Sequence, residues 1–173
     1  MNFELANIGR KIVGVGVDIV YLPRFAHLLE KHSPFDPRTR LTFDKITQKF
    51  MHEKERCYLS NLLIEENRSN PRLHEYMAGI WALKECSFKA LSCCTSKDDL
   101  PPAQVLYAKM LYKTQNDEGV PKLQFDKMFE EKYPKYQRFS KSYEKFFSAH
   151  EFLVSISHDK DYLIALANLV ERE

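Results

Sequence analysis

Between Tyr76 and Leu91 the chain reads YMAGIWALKECSFKAL, and the fold turns on how this stretch is read. At 100° per residue, Met77, Ile80, Trp81, Phe88 and Leu91 share one broad side of a helix. Ala78, Gly79, Ala82, Cys86 and Ala90 cover much of the remainder with small side chains. A helix that is apolar or small nearly all round is expected in the interior. Three charges nevertheless stand near its middle: Lys84, Glu85 and Lys89. Glu85 and Lys89 have the i,i+4 spacing, acid first, of a favourable helical ion pair on a wet strip. The neighbouring residues argue for burial instead, and buried charges are costly without a partner charge, a metal or an ionic ligand. The middle of this helix is therefore a candidate site.

Outward from the helix, Ile12–Val20 (IVGVGVDIV) is β-branched and alternating. Val13, Val15 and Val17 point one way; Gly14, Gly16, Asp18 and Val20 point the other. Two glycines leave the Asp18 side of the strand bare, as if another element packs there. GVGVD lacks the full GxGxxG spacing and its following helix, so a dinucleotide fingerprint is excluded. By itself, an aspartate ending such a strand is either a turn residue or a ligand.

Pro23 opens a helix over about Arg24–Lys31, Ser33–Arg40 is a proline-bearing loop, and a second helical stretch runs around Phe43–Ile64. Asn70 and Pro71 supply a cap and a first-turn proline for the central helix. Cys93–Pro102 ends it. Gln104–Lys113 is expected as a strand, Asn116–Gly119 as a turn and Val120–Phe125 as the returning strand. Asp126–Ala149, rich in Lys, Tyr and Phe and interrupted by Pro134, is expected as one or two peripheral helices. Phe152–Ser157 and Tyr162–Leu169 form a last hairpin around His158–Lys160. A strand, several helices and two hairpins predict an α+β fold, an antiparallel sheet packed with helices.

The chain of 173 residues suits one domain with a real core. Its net charge of +2 comes from 26 basic and 24 acidic residues, so anion affinity must come from local clustering. No run of about 18 apolar residues occurs, which argues against a membrane span. The four cysteines form no CxxC pair and read as free thiols in a reducing compartment. The opening residues carry too little basic charge to be a transit peptide on composition alone.

Hydrolytic motifs fail. Ser157, His158 and Asp159 are consecutive and cannot make a triad, and GxSxG, HExxH and P-loop patterns are missing. Basic and aromatic residues mix in Lys132–Phe147, but the near-neutral charge balance makes nucleic acid a weak reading. What remains is Asp18 on a strand and Glu85 on a buried helix, with Lys84 and Lys89 beside them. Two carboxylates with flanking lysines are what a Mg²⁺-bound polyphosphate requires.

GVGVDIVYLPRF and WALKECSFKAL together resemble the two signatures of the 4′-phosphopantetheinyl transferases, of the small holo-acyl-carrier-protein synthase type. KFMHEKE, the turn Gly119-Val120-Pro121 and the terminal FLVSISHDKDYLIALANLVE echo further parts of the pattern. The resemblance runs from about Ile12 to Glu171. It implies a reaction in which the serine hydroxyl of an acyl carrier protein attacks the β-phosphate of coenzyme A. Adenosine 3′,5′-bisphosphate leaves, and the carrier keeps the phosphopantetheine arm. It further implies that Asp18 and Glu85 bind Mg²⁺, that Lys89 neutralises phosphate charge and that Lys84 helps bind the coenzyme. Ser157 and His158 fall where the family's last hairpin approaches the coenzyme, and Arg24 matches a basic position facing the acidic carrier. A homotrimer with the coenzyme between subunits is implied as well.

The family's glycine-rich turn after the lysine helix is replaced by Leu91-Ser92-Cys93-Cys94-Thr95, and Val120 stands where lysine is common. Ser33–Thr42 and Asp126–Ala149 look like insertions relative to the compact bacterial form. They are similar to the fungal mitochondrial form, which implies a mitochondrial enzyme of lipid metabolism. Taken without the resemblance, His158 is a turn residue, Arg24 a surface cation and Trp81 a core anchor. A catalytically silent module binding coenzyme A or carrier protein, on the same fold, is the alternative reading.

Overall fold

The computed structural model describes residues 10–65 and 71–172. Most of the opening segment and the expected cap Asn70 lie outside them. β1 (Ile12–Tyr21) pairs with β5 (Tyr162–Glu171), β5 with β4 (His150–Asp159), β4 with β3 (Pro121–Phe125) and β3 with β2 (Leu111–Gln115). The result is a five-stranded antiparallel sheet in the order β1-β5-β4-β3-β2. β3 and β4 pair only at Leu123 and Phe152.

Against the inner face of β1 and β5 lies α4 (Pro71–Ser92), the helix predicted around Tyr76–Leu91. Met77, Ile80, Leu83, Cys86, Ala90 and Leu91 have no or almost no exposed surface. Packing this close depends on the strand glycines. A Cβ on Gly16 would stand 1.8 Å from the Cys86 carbonyl oxygen, and one on Gly14 would stand 2.1 Å from that of Ala90. Glycine here lets a helix backbone approach a strand backbone. Burial along β1 alternates as expected. Gly14, Gly16 and Val20 are buried, whereas Val15, Val17, Ile19 and Tyr21 are exposed.

Shorter helices complete the inner layer: α1 (Leu22–Lys31), α2 (Arg40–Thr47) and α3 (Glu53–Glu65) precede α4. After it come the single turn α5 (Ala103–Val105), α6 (Phe129–Lys132) and α7 (Gln137–Ala149). Phe125, Phe129, Tyr143 and Phe147 tie the last two to the core.

Two expectations need correction. The single helical stretch over Phe43–Ile64 is two helices, broken at Gln48–His52, where Glu55 Oε2 accepts a 2.8 Å bond from the His52 backbone N–H. That is one half of a capping box, which starts a new helix. The strand expected over Gln104–Lys113 begins only at Leu111; before it, Leu106–Met110 is a π-helix. Its Tyr107 carbonyl, together with that of Leu111 at the start of β2, is taken up by a side chain from α4, a long-range contact with no local signature.

Candidate functional site

Asp18 lies within β1 rather than at its end, its side chain on the α4 side of the sheet and beyond the glycines. Lys89, one turn from the end of α4, reaches it: Nζ donates to Asp18 Oδ1 at 2.8 Å and to the Val17 carbonyl at 2.9 Å. The bond to Asp18 raises the Lys89 pKa, with burial opposing it. Lys89 therefore pairs with the strand aspartate and not solely with Glu85, as the local spacing alone suggested. Glu85, half-buried one turn earlier, contributes its charge to the same corner. The ammonium already stands where a cation satisfies two strand oxygens, with the Glu85 charge acting on it from the helix. Two carboxylates, a backbone carbonyl and open access are a hard-oxygen donor set, which fits Mg²⁺.

Lys84 requires a correction. Its side chain is fully buried, so the expected contact with the coenzyme does not fit its place. Nζ lies 3.0 Å from Glu55 Oε1, 2.7 Å from the Tyr107 carbonyl oxygen, and in hydrogen-bond contact with the Leu111 carbonyl. Three acceptors match the three protons of an ammonium. Glu55, also buried, further accepts from the Lys113 backbone N–H at 2.6 Å. Burial pushes the Lys84 pKa down, and the Glu55 charge and hydrogen bond oppose this. The pair is a satisfied buried network that fastens α3, α4, the π-helix and β2 together. Glu55 was legible only as part of the KFMHEKE echo; the need of Lys84 for a counter-ion was the signal that could have singled it out.

Tyr107, on the π-helix, is 4% exposed. Burial first, then the Glu85 charge and hydrogen bond, then Asp18, hold its phenolic proton on well above the ordinary range. Both carboxylates act on this phenol, Glu85 more strongly than Asp18.

Arg24 is exposed, with its guanidinium carbon 5.8 Å from the centre of the Trp81 ring. Trp81 is half-buried and meets Phe50 edge-on at 5.4 Å, so it is both an anchor and the floor beneath Arg24. Ser157 and His158 are exposed near the tip of the last hairpin. Ser157 pairs in register with Ile164, which in turn pairs with Ile19, on the face opposite α4. The described contacts join neither residue to Asp18 or Glu85 within one chain. A cleft of about 310 Å³ is lined by Lys54, Tyr58, Tyr76, Tyr112 and Lys113, with Glu55 at its back.

A second polar cluster clips α6 to α3. His52 Nε2 lies 3.2 Å from Asp126 Oδ2, and the Lys132 ammonium bonds both Glu53 and Asp126. Burial, aided by the Lys84 charge, pushes the His52 pKa from 6.5 down to about 4, against the pull of Asp126 and Glu53. The folded state keeps the ring neutral, so the unfolded chain binds the extra proton as pH falls. Stability is therefore full above about pH 6.5 and declines towards pH 4, by an amount on the order of 3 kcal/mol. Urea midpoints at several pH values should show this slope, and His52→Gln should flatten it; an unchanged slope would remove His52 as the cause.

A family model described as the 4′-phosphopantetheinyl transferase superfamily matches residues 14–167. The chain belongs to that superfamily. The mitochondrial holo-[acyl-carrier-protein] synthase of Saccharomyces cerevisiae is 76% identical over 173 residues, all of both chains. The protein of the same name in Candida glabrata is 35% identical, covering 92% of this chain and 95% of its own. Among solved structures, the Chronobacterium ammoniagenes ACPS–CoA complex is 28% identical at a TM-score of 0.56, covering 92% of this chain and 98% of that one. The Bacillus anthracis holo-(acyl-carrier-protein) synthase, at 23% identity and a TM-score of 0.57, shares the fold over 95% of this chain and 100% of its own. In this phosphopantetheinyl transferase the corner of Asp18, Glu85 and Lys89 borders the close approach of β1 to α4 at Gly16 and Cys86.

Proposed function

We propose that this chain transfers the 4′-phosphopantetheine arm of coenzyme A to a serine of an apo acyl carrier protein, in the mitochondrion. The attacking hydroxyl forms a new P–O bond at the β-phosphate, the bond to adenosine 3′,5′-bisphosphate breaks, and the serine proton goes to solvent or base. The observation that carries this reading is the meeting of Asp18 and Lys89, with Glu85 beside them, at the open corner of α4 and β1. Full-length likeness to a mitochondrial synthase supports it.

Asp18 and Glu85 would hold Mg²⁺, which supplies positive charge to the pyrophosphate oxygens when bound. Lys89, released from Asp18, turns its ammonium to the phosphate that carries the developing charge. Lys84 stays in the interior. The test incubates the protein with apo carrier, coenzyme A and Mg²⁺ and weighs the carrier; a carrier that gains no phosphopantetheine mass sinks the reading. That result, with coenzyme A still bound, would favour the silent binding module.

A homotrimer belongs to this proposal. Val15, Val17, Ile19, Tyr21, Tyr162 and Ile164 form a contiguous apolar face on β1 and β5, each 44% or more exposed. Such a patch is large for a free monomer and suits association. Ser157 lies on this same side, so it would meet the coenzyme of a neighbouring copy and not its own. Light scattering at assay concentration gives the assembly size, and an active monomer would exclude it.

Carrier recognition rests on Arg24, exposed beside the site and backed by Trp81. Arg24→Glu should raise the KM for an acidic carrier roughly 10-fold and steepen no other dependence, because charge complementarity acts on encounter. The coenzyme A Kd should hold. Equal damage to both would assign Arg24 to the coenzyme site.

A further inference from the structure

The π-helix over Leu106–Met110 is an irregularity that needs a reason, and such bulges cluster at functional sites. Its Tyr107 ring packs edge-on against two rings of α4: Trp81 at 6.4 Å and 73°, and Phe88 at 6.0 Å and 86°. Those residues stand four before and three after Glu85, so all three share one helical face. A ring wedged between Trp81 and Phe88 therefore lies over Glu85. The backbone beneath Tyr107 is fixed from the other side, since buried Lys84 donates to the carbonyls of Tyr107 and Leu111 while bound to Glu55.

We infer that Tyr107 is a positioning residue: its hydroxyl donates to the Glu85 carboxylate and aims it at the cation site shared with Asp18. The π-helix is the device that delivers it. A regular helix would change the register of Leu106–Met110, and the hydroxyl would miss Glu85. The Lys84–Glu55 pair holds the π-helix in that register. Ligating carboxylates are commonly oriented by such outer hydrogen bonds, and losing one typically weakens the metal roughly 10-fold or more. The inference rests on the metal reading of Glu85 given above.

The test measures Mn²⁺ affinity directly, from the free-ion signal in electron paramagnetic resonance, on the full-length protein without substrates. Tyr107→Phe should raise the Mn²⁺ Kd roughly 10-fold, and raise the Mg²⁺ concentration for half-maximal transfer in parallel. Phe88→Leu loosens the same ring packing but keeps the hydroxyl, so its Mn²⁺ affinity should stay near that of the parent. Unchanged affinity in Tyr107→Phe overturns the inference. Equal weakening in both variants also overturns it, since packing alone then suffices. Glu85→Gln is the separate arm. If it binds Mn²⁺ normally, the metal assignment itself has failed; if it does not while Tyr107→Phe does, only the positioning role has.

Discussion

In the Glu85→Gln variant, transfer of phosphopantetheine to the carrier falls by roughly 100-fold or more at saturating substrate. Glutamine keeps the size and part of the hydrogen bonding while removing the charge, and Glu85 is only half-buried, so the fold survives. Asp18→Asn should cost a similar factor. Combining the two should add little, because groups that act through one ion act as a unit. Lys89→Ala should behave differently. Its ammonium is the present partner of Asp18 at 2.8 Å, so removing it leaves the carboxylate free for a metal while turnover drops. Metal affinity measured beside turnover separates these cases. If Glu85 and Lys89 formed only a surface ion pair, each variant would lose about 0.2–0.5 kcal/mol of stability and no activity. Near-normal transfer by Glu85→Gln would place the site elsewhere.

Lys84→Met should give the largest loss of stability among the charged positions of α4, about 3–5 kcal/mol. The methionine fills the same space but leaves the Glu55 carboxylate without its cation and the carbonyls of Tyr107 and Leu111 without their shared donor. Urea unfolding at one fixed protein concentration measures this, since assembly would otherwise shift the midpoint. Glu55→Gln introduced together with Lys84→Met removes the unpaired charge and should recover part of the loss, a non-additivity that marks direct coupling. A single-variant cost below about 1 kcal/mol would mean the pair contributes no more than an exposed one.

The two predictions separate lysines that stand five residues apart on one helix. From the sequence, Lys84 and Lys89 are equivalent helpers of a polyphosphate site. In the fold Lys89 emerges beside Asp18, while Lys84 faces inward to an acid on another helix. No local pattern distinguishes them. What differs is the element opposite each face: a glycine-lined strand for one, α3 and the π-helix for the other.

Much was legible from local pattern. Period-two alternation in Ile12–Val20 separated the buried from the exposed face of β1, and its glycines announced close packing that the 1.8 Å and 2.1 Å approaches account for. The turn at Asn116–Gly119 and the hairpin around His158–Lys160 follow from local chemistry and were placed correctly. The burial of α4 followed from its apolar and small residues. The π-helix is not legible because the mostly apolar stretch Val105–Met110 suits a strand as well as a helix, and a lysine more than twenty residues away bonds the helical form.

The sequence by itself determined the α+β class, the central helix, the glycine-lined strand and the family, because these depend on periodicity, side-chain volume and two ordered motifs. The tertiary structure decided which charges meet: Asp18 with Lys89, and Lys84 with Glu55. It also placed Ser157 on the face away from that corner. Such pairings link residues far apart in the chain, and their cost or benefit is set by burial and by the acceptors nearby. Neither quantity exists until the elements have packed.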